Sequence, residues 1–573
     1  MKRFYTGSIM QYELLLLNVI RNSSEHSGAF KDYLGGHIIA SYIAEFGFRA
    51  KVYSCDVLDC KRIITGEITN RNVKLLGFYV GADTRVMTGH IIKWVKDNWP
   101  EVAVLVGGPE AYSLEEDFLH DTGCDYVVYG EGEIPVLNLL RLIVDGIGTP
   151  ESIKSIKFVD TSGKFRVTPP EQLLYDLDAI PFPAKHNSLS KDFRLGESIG
   201  ILTGRGCPYH CAFCFEGAAS KSVRLRSIEN VIAEIQSVKT YNPSLRYVNI
   251  YDDTFTLSVD RVREFCRYMK STDLFWTCEA HVLTLSQNPE MIHMMADSGL
   301  LAVQLGIESG SRRVLDAYNK HITPEMIIDV VSECKSAGLH RVEGNYIIGG
   351  ALESFDTLRE SIDHAKKLIK AGRGIIELNT VFFAPYYGTP ITREPERYGM
   401  CIAKERMNHS VITMREAVIE TEALSTNDII LAKYKFDTEL RKQYIQEALL
   451  TTKSELLKGS GHDSSGRIKN QSWLTAWRNY PYIMEFMRHL KPEEQVCTSS
   501  SYPVRTMSEY TINEEIVSER GHKETGLDAK LIMLADGKNQ IHEIASYVCL
   551  NVDELMNAYR SLNDKCLVYF SEF

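Results

Sequence analysis

Cys207, Cys211 and Cys214 stand in the stretch Gly-Arg-Gly-Cys-Pro-Tyr-His-Cys-Ala-Phe-Cys-Phe at 204–215. Three thiolates on one short loop can grip three irons of a cubane iron–sulfur cluster and leave the fourth iron open. An open iron is a place where a small molecule binds and is transformed; a fourth nearby cysteine would close it. Zinc is the competing chemistry, but zinc sites usually close with four ligands and favour Cys-x2-Cys pairs. His210 could complete such a site only from a cramped position beside Cys211. An open cluster needs reducing, oxygen-poor surroundings, so a cytoplasmic location is expected.

The elements around this loop alternate strand and helix. Six strand-like runs span 199–203, 246–251, 274–280, 301–306, 342–348 and 375–382, with helical runs between them. Such an arrangement predicts a partial (β/α)6 barrel over 196–392, and in barrels the chemistry sits at the carboxyl ends of the strands. The cysteine loop follows the first strand, as that rule requires. Residues 1–150 alternate in the same way, with continuous apolar strands that predict a doubly wound, Rossmann-like parallel sheet. Its strand ends carry Tyr79, Gly81 and Asp83, then Gly107, Gly108, Pro109 and Glu110, then Gly130, Glu131 and Gly132. Glycines there admit close approach of a bulky ligand, although tight βα turns also use them.

Together the cysteine spacing and the six-unit pattern resemble the radical S-adenosylmethionine (SAM) superfamily. With the glycine-rich loops ahead of them, they are similar to the B12-dependent radical SAM enzymes, whose first domain binds cobalamin. The resemblance implies a 4Fe–4S cluster on the three cysteines, SAM on its open iron, and cobalamin along the three glycine-rich loops. It also places Phe213 near the adenine, Asp252 or Asp253 against the methionyl amine, Glu308 near the ribose hydroxyls and Gly349 in an adenine-contacting backbone stretch. An ammonium prefers a carboxylate neighbour, which suits either aspartate; helix capping is the bland alternative. Lys320 matches a lysine of many relatives, or is a solvated helix-end charge. None of the sixteen histidines follows an aspartate by two residues, so the Asp-x-His-x-x-Gly cobalt ligand of many cobalamin domains is missing. Cys55, Cys60 and Cys124, too scattered for a second cluster, read as buried small hydrophobes.

The remaining chain is bounded more loosely. A hairpin and extended linker are expected over 151–195, a mostly helical region over 393–526 with a long helix at 437–457 and a flexible loop at 458–466, and a small winged-helix-like module over 527–573. In 573 residues with 44% hydrophobic and 24% charged content there is ample core for an α/β protein of several domains. A formal charge of −11 argues against nucleic acid as a partner. The apolar run at 12–20 is interrupted by Glu13 and falls short of a membrane span.

The resemblance implies reductive cleavage of SAM to a 5′-deoxyadenosyl radical, supplied with electrons by a reductant such as flavodoxin or ferredoxin. With cobalamin added, the expected activity is C-methylation of an unactivated carbon in a natural-product intermediate or peptide side chain. Alternatives are a non-methylating rearrangement, ring contraction or cyclisation, and a cobalamin- or leader-peptide-binding regulator with a structural cluster.

Overall fold

A computed structural model describes residues 12–20, 34–71, 73–184, 198–216, 222–402, 417–452, 497–505, 511–513, 516–519, 522–535, 539–565 and 567–571. The strands of the first sheet are β1 (Leu14–Val19), β2 (Ala50–Cys55), β3 (Leu75–Tyr79), β4 (Ala103–Gly107), β5 (Tyr126–Val128), β6 (Ile156–Val159) and β7 (Phe165–Val167). Their order is β2-β1-β3-β4-β5-β6-β7. The pairs from β2 through β5 are parallel. All six residues of β1 are buried, because helices cover both faces of the sheet. Leu15, Leu17 and Val19 pack with Ile91 and Val95 on one side. Leu14 and Leu16 pack with Ile43 and Leu140 on the other.

The hairpin expected in a connecting segment belongs instead to this sheet. β6 pairs antiparallel with β5, and β7 with β6. The first sheet therefore runs to Val167 rather than ending near 150.

The second sheet contains β8 (Ser198–Ile201), followed after the short β9 (Gly204–Arg205) and β10 (Arg224–Leu225) by β11 (Tyr247–Ile250), β12 (Phe275–Ala280), β13 (Leu300–Glu308), β14 (Arg341–Ile348) and β15 (Ile376–Phe382). All six long strands pair in parallel, in the order β15-β14-β13-β12-β11-β8. Several connecting helices are started by local capping. Ser227 and Thr323 accept N–H groups of the first turns of helices Ile228–Tyr241 and Pro324–Ser336, and Ser354 forms a capping box with Thr357. The helix Thr426–Ala448 lies along the β15 edge, where Tyr444 Oη accepts the Leu378 N–H and donates to the Ile376 carbonyl, both at 3.1 Å.

Beyond residue 393 the described structure is more strand-rich than the composition suggests. Met400–Ile402 pairs antiparallel with Ile419–Thr421. Thr511–Asn513, Ile516–Glu519 and His522–Thr525 form a three-stranded sheet ahead of three helices. Tyr502–Arg505 pairs with Val568–Ser571, so the terminal module draws on chain well before 527. The long helix begins earlier than expected, at Thr426, and the loop expected at 458–466 lies outside the described residues. Among the described residues no helix is long and apolar enough to cross a membrane.

Candidate active site

The cysteine loop is held at several points. The Ala212 N–H donates to the Tyr318 carbonyl at 2.9 Å, and the Ala212 carbonyl accepts from Ile391 N–H at 3.2 Å. Asn319 Nδ2 donates to the His210 carbonyl at 3.1 Å. Both neighbouring segments thus fix the loop through backbone atoms. Lys320 lies beneath it, 2.9 Å from Glu308 Oε1 and 5.7 Å from the centre of the Phe213 ring. Gly306 leaves room for this pair, since a Cβ there would fall 2.3 Å from Lys320 Nζ.

Cys207, Cys211 and Cys214 line one cavity of about 310 Å³ at the carboxyl ends of the barrel strands. Burial raises the Cys207 and Cys211 thiols, and the Lys320 charge opposes that rise. Three thiols lining one cavity fit a cluster, in which each thiolate takes its own iron.

The structure separates the expected SAM residues. Phe213, Asp253 and Glu308 line the cavity with the cysteines. Asp252 does not: it is buried and accepts the Thr203 N–H at 2.6 Å, tying the end of β11 to the end of β8. Burial pushes its carboxyl up to about 6 against those hydrogen bonds. Gly349 is also outside the cavity wall. Its φ is +86°, its N–H donates to Glu353, and a Cβ would press on Ile429 at 3.0 Å. Asn345 and Ile347, on the inward face of β14, line the cavity instead.

Further polar groups in the wall were not singled out by sequence reasoning: Glu216, Glu279, Gln304 and His281. Glu279 and Gln304 break otherwise apolar strand ends, a signal that was available. His281 stacks on Tyr209 with ring centres 3.7 Å apart, a contact no local pattern announces.

The glycine-rich loops lie at the carboxyl ends of the first sheet, whose order switches direction between β1 and β3; open sheets bind ligands at such a point. Gly108 has φ +105°, and a Cβ would meet the Val80 carbonyl at 2.8 Å, whereas one on Gly107 would find its nearest neighbour at 3.6 Å. Gly81 N–H donates to Thr84 Oγ1 at 3.0 Å, closing the turn that carries Asp83. A switch point with glycines at its strand ends lets a large planar cofactor approach the backbone closely. Pro109 opens the following turn, where buried Glu110 accepts from Ser113 Oγ at 2.7 Å. Gly130 has φ +79° and Gly132 caps helix Glu133–Asp145. Glu131 is taken by Arg205, at 3.1 Å, and by Arg224, and Glu133 is bonded to Arg205 at 2.5 Å. These ion pairs join the first domain to the barrel.

The two sets of strand ends meet. The Tyr112 and Phe215 rings lie 5.6 Å apart. Burial raises the Tyr79 hydroxyl to about 12, with Asp83, Tyr386 and Glu216 adding to it, so groups from both domains converge there. Cys55, Cys60 and Cys124 are buried in the first domain.

Comparison with known proteins agrees with this architecture. Residues 32–140 match the B12 binding domain and residues 201–379 the radical SAM superfamily. The chain thus combines a B12 binding domain with a radical SAM domain, the architecture of cobalamin-dependent radical SAM proteins. It is 33% identical over 287 residues to an uncharacterized methyltransferase of Pyrococcus horikoshii, covering 48% of this chain and 61% of that protein, less than two thirds of its length. It is 27% identical to cytidylyl-2-hydroxyethylphosphonate methyltransferase of Streptomyces wedmorensis, over 62% of this chain and 72% of that one. The solved structure of the cobalamin-dependent SAM radical enzyme OxsB, with aqua-cobalamin and SAM bound, shares the fold at a TM-score of 0.63 and 13% identity, covering 97% of this chain and 80% of that chain.

Proposed function

We propose that this protein is a cobalamin-dependent radical SAM enzyme that methylates an unactivated carbon of a small molecule or peptide side chain. The observation that carries the reading is one cavity lined by three loop thiols, with the Tyr112 ring of a second, glycine-rich domain 5.6 Å from the Phe215 ring that follows the cysteine loop. Cys207, Cys211 and Cys214 would hold the 4Fe–4S cluster, and Gly81, Gly107 and Gly108 would border cobalamin. When bound, the cluster with SAM supplies hydrogen-atom abstraction from unreactive carbon, and cobalamin supplies a transferable methyl group.

The protein's part is to bind, orient and exclude water. Of the two aspartates, Asp253 faces the cavity and is the one available to the methionyl ammonium, because Asp252 is engaged by Thr203. Lys320 holds Glu308 in place beneath Phe213. Phe382, Phe383 and Tyr386 form an apolar wall that keeps reactive species from solvent. A flavodoxin or ferredoxin in a reducing cytoplasm would supply electrons. The test is anaerobic incubation with SAM and reductant: 5′-deoxyadenosine is expected, accompanied by S-adenosylhomocysteine when substrate is present. Absence of 5′-deoxyadenosine from cluster-loaded protein would overturn the reading.

A further inference from the structure

Two buried polar groups of the cavity wall bond to nothing among the described residues. Thr254, 5% exposed, follows β11, and its Oγ1 has no hydrogen-bond partner. His281, 7% exposed, follows β12, and its Nε2 has none either. Both residues line the cavity. They stand on neighbouring strand ends, because the Phe255 N–H donates to the Glu279 carbonyl at 3.2 Å.

The remaining contacts of His281 define its state. Its Nδ1 accepts the Leu283 N–H at 3.2 Å and caps helix Val282–Gln287, which leaves the ring proton on Nε2. Its ring stacks on Tyr209, whose Oη is bonded to Thr284 Oγ1 at 2.9 Å. Cap and stack together hold the imidazole in place, and neither uses the Nε2–H. The cap needs only an acceptor, which an asparagine would also supply. A second, unpaired N–H is therefore surplus to the structural role.

A buried donor without an acceptor is costly unless a ligand supplies one. Nε2–H can only donate here, and a threonine hydroxyl can donate as well. One carbonyl oxygen has two lone pairs, enough for both. A carboxylate or phosphate would also accept, but it needs a cation when buried. The only lysine or arginine in the wall is Lys320, which is bonded to Glu308 at 2.9 Å.

We propose that the substrate presents an uncharged carbonyl oxygen, that of a ketone, ester or amide, to His281 Nε2–H and the Thr254 hydroxyl. The pair sets specificity, because the same skeleton without its carbonyl leaves both groups buried and unpaired. The inference rests on the function proposed above, in which Asp253 takes the methionyl ammonium of SAM and these two groups are left to the substrate.

The test uses the full chain, reconstituted with cluster and SAM, and two probes of nearly equal shape, acetophenone and α-methylstyrene. Calorimetric titration should show the ketone bound about tenfold more tightly than the alkene, with benzoate no tighter than the ketone. Thr254→Val, equal in shape, should cut the preference to about threefold while iron content and SAM affinity stay unchanged. Adding His281→Asn, which keeps the helix cap, should abolish the preference in samples matched for iron. Equal binding of the two probes, no binding of either, tighter binding of benzoate, or a preference that survives both substitutions overturns the proposal. So does a loss of SAM affinity in Thr254→Val with the ketone preference intact, which would assign the hydroxyl to SAM. Formation of 5′-deoxyadenosine, measured on the same samples, separates the two readings. Its absence alongside a Thr254-dependent ketone preference sinks the radical chemistry and supports the carbonyl site; its presence without any ketone preference sinks the carbonyl site alone.

Discussion

Glu308 and Lys320 meet at 2.9 Å in a nearly buried pair directly under the cysteine loop. Removing one partner of such a pair leaves a buried charge uncompensated, at a cost of about 3–5 kcal/mol. Lys320→Met should therefore speed hydrogen exchange in β13 and β14 and lower iron retention, whereas Lys320→Met combined with Glu308→Gln should recover most of the protection. A double variant no better than the single one would show that the pair does not act as a unit. Glu353 offers a pH signature. Burial raises its carboxyl from 4.5 to about 7, against donation from the Gly349 and Gly350 amides. Between those values the folded chain holds a proton that the unfolded chain has released, so this group's stabilisation is complete below about 4.5 and is lost as pH rises through about 7. Glu353→Gln should gain on the wild type by roughly 3 kcal/mol from pH 4.5 to above 7, read from denaturation midpoints of the barrel. A constant difference across that range would contradict the assignment. The cysteine loop was legible at this scale because its spacing is local. Asp252 and Asp253 were not separable, since the alternation that assigns faces ends with β11 at Ile250. Glu216 and His281 reach the cavity through contacts far away in sequence, Tyr112 against the neighbouring Phe215 for one and the Tyr209 stack for the other.

At the scale of elements, Gly107 and Gly108 make contrasting demands. A side chain at Gly108 meets both a positive φ and the Val80 carbonyl, while Gly107 has ordinary space. Gly108→Val should reduce cobalamin binding by at least about tenfold, given the strain a β-branched residue incurs at positive φ, with iron content unchanged. Gly107→Ala should be far milder, and absorbance titration with cobalamin distinguishes them. Equal losses would mean that bulk near the ligand, rather than the backbone, sets the effect. The parallel strands were readable because they are unbroken apolar runs, such as Leu14–Val19. The hairpin of β6 and β7 was readable as a hairpin, but its partner β5 is fixed by tertiary pairing that no local turn encodes. The short strands Thr511–Asn513, Ile516–Glu519 and His522–Thr525 lack a clear apolar alternation, so the region was expected to be helical.

For the whole molecule, the account depends on two domains sharing a mouth. Arg205 and Arg224 bridge to Glu131 and Glu133 across the junction. Arg205→Ala with Arg224→Ala should leave SAM cleavage largely intact but impair transfer to substrate, because the barrel keeps its cavity while its alignment with the first domain loosens. Loss of both activities together would show instead that the junction supports the cluster loop. Cobalamin in the first domain should bind without a histidine on cobalt, since no histidine here sits in the Asp-x-His-x-x-Gly context.

Electron paramagnetic resonance of the anaerobically reconstituted full chain tests the central claim most directly, that Cys207, Cys211 and Cys214 hold a SAM-binding cluster in a protein that also binds cobalamin. The wild type should hold about four irons and about one cobalamin per chain, with a reduced-cluster signal that shifts on adding SAM and a cob(II)alamin signal free of axial nitrogen splitting. Replacing the three cysteines with alanine should abolish the cluster signal and leave the cobalamin signal in place. A triple variant that keeps its irons, or a cluster signal indifferent to SAM, would contradict the account.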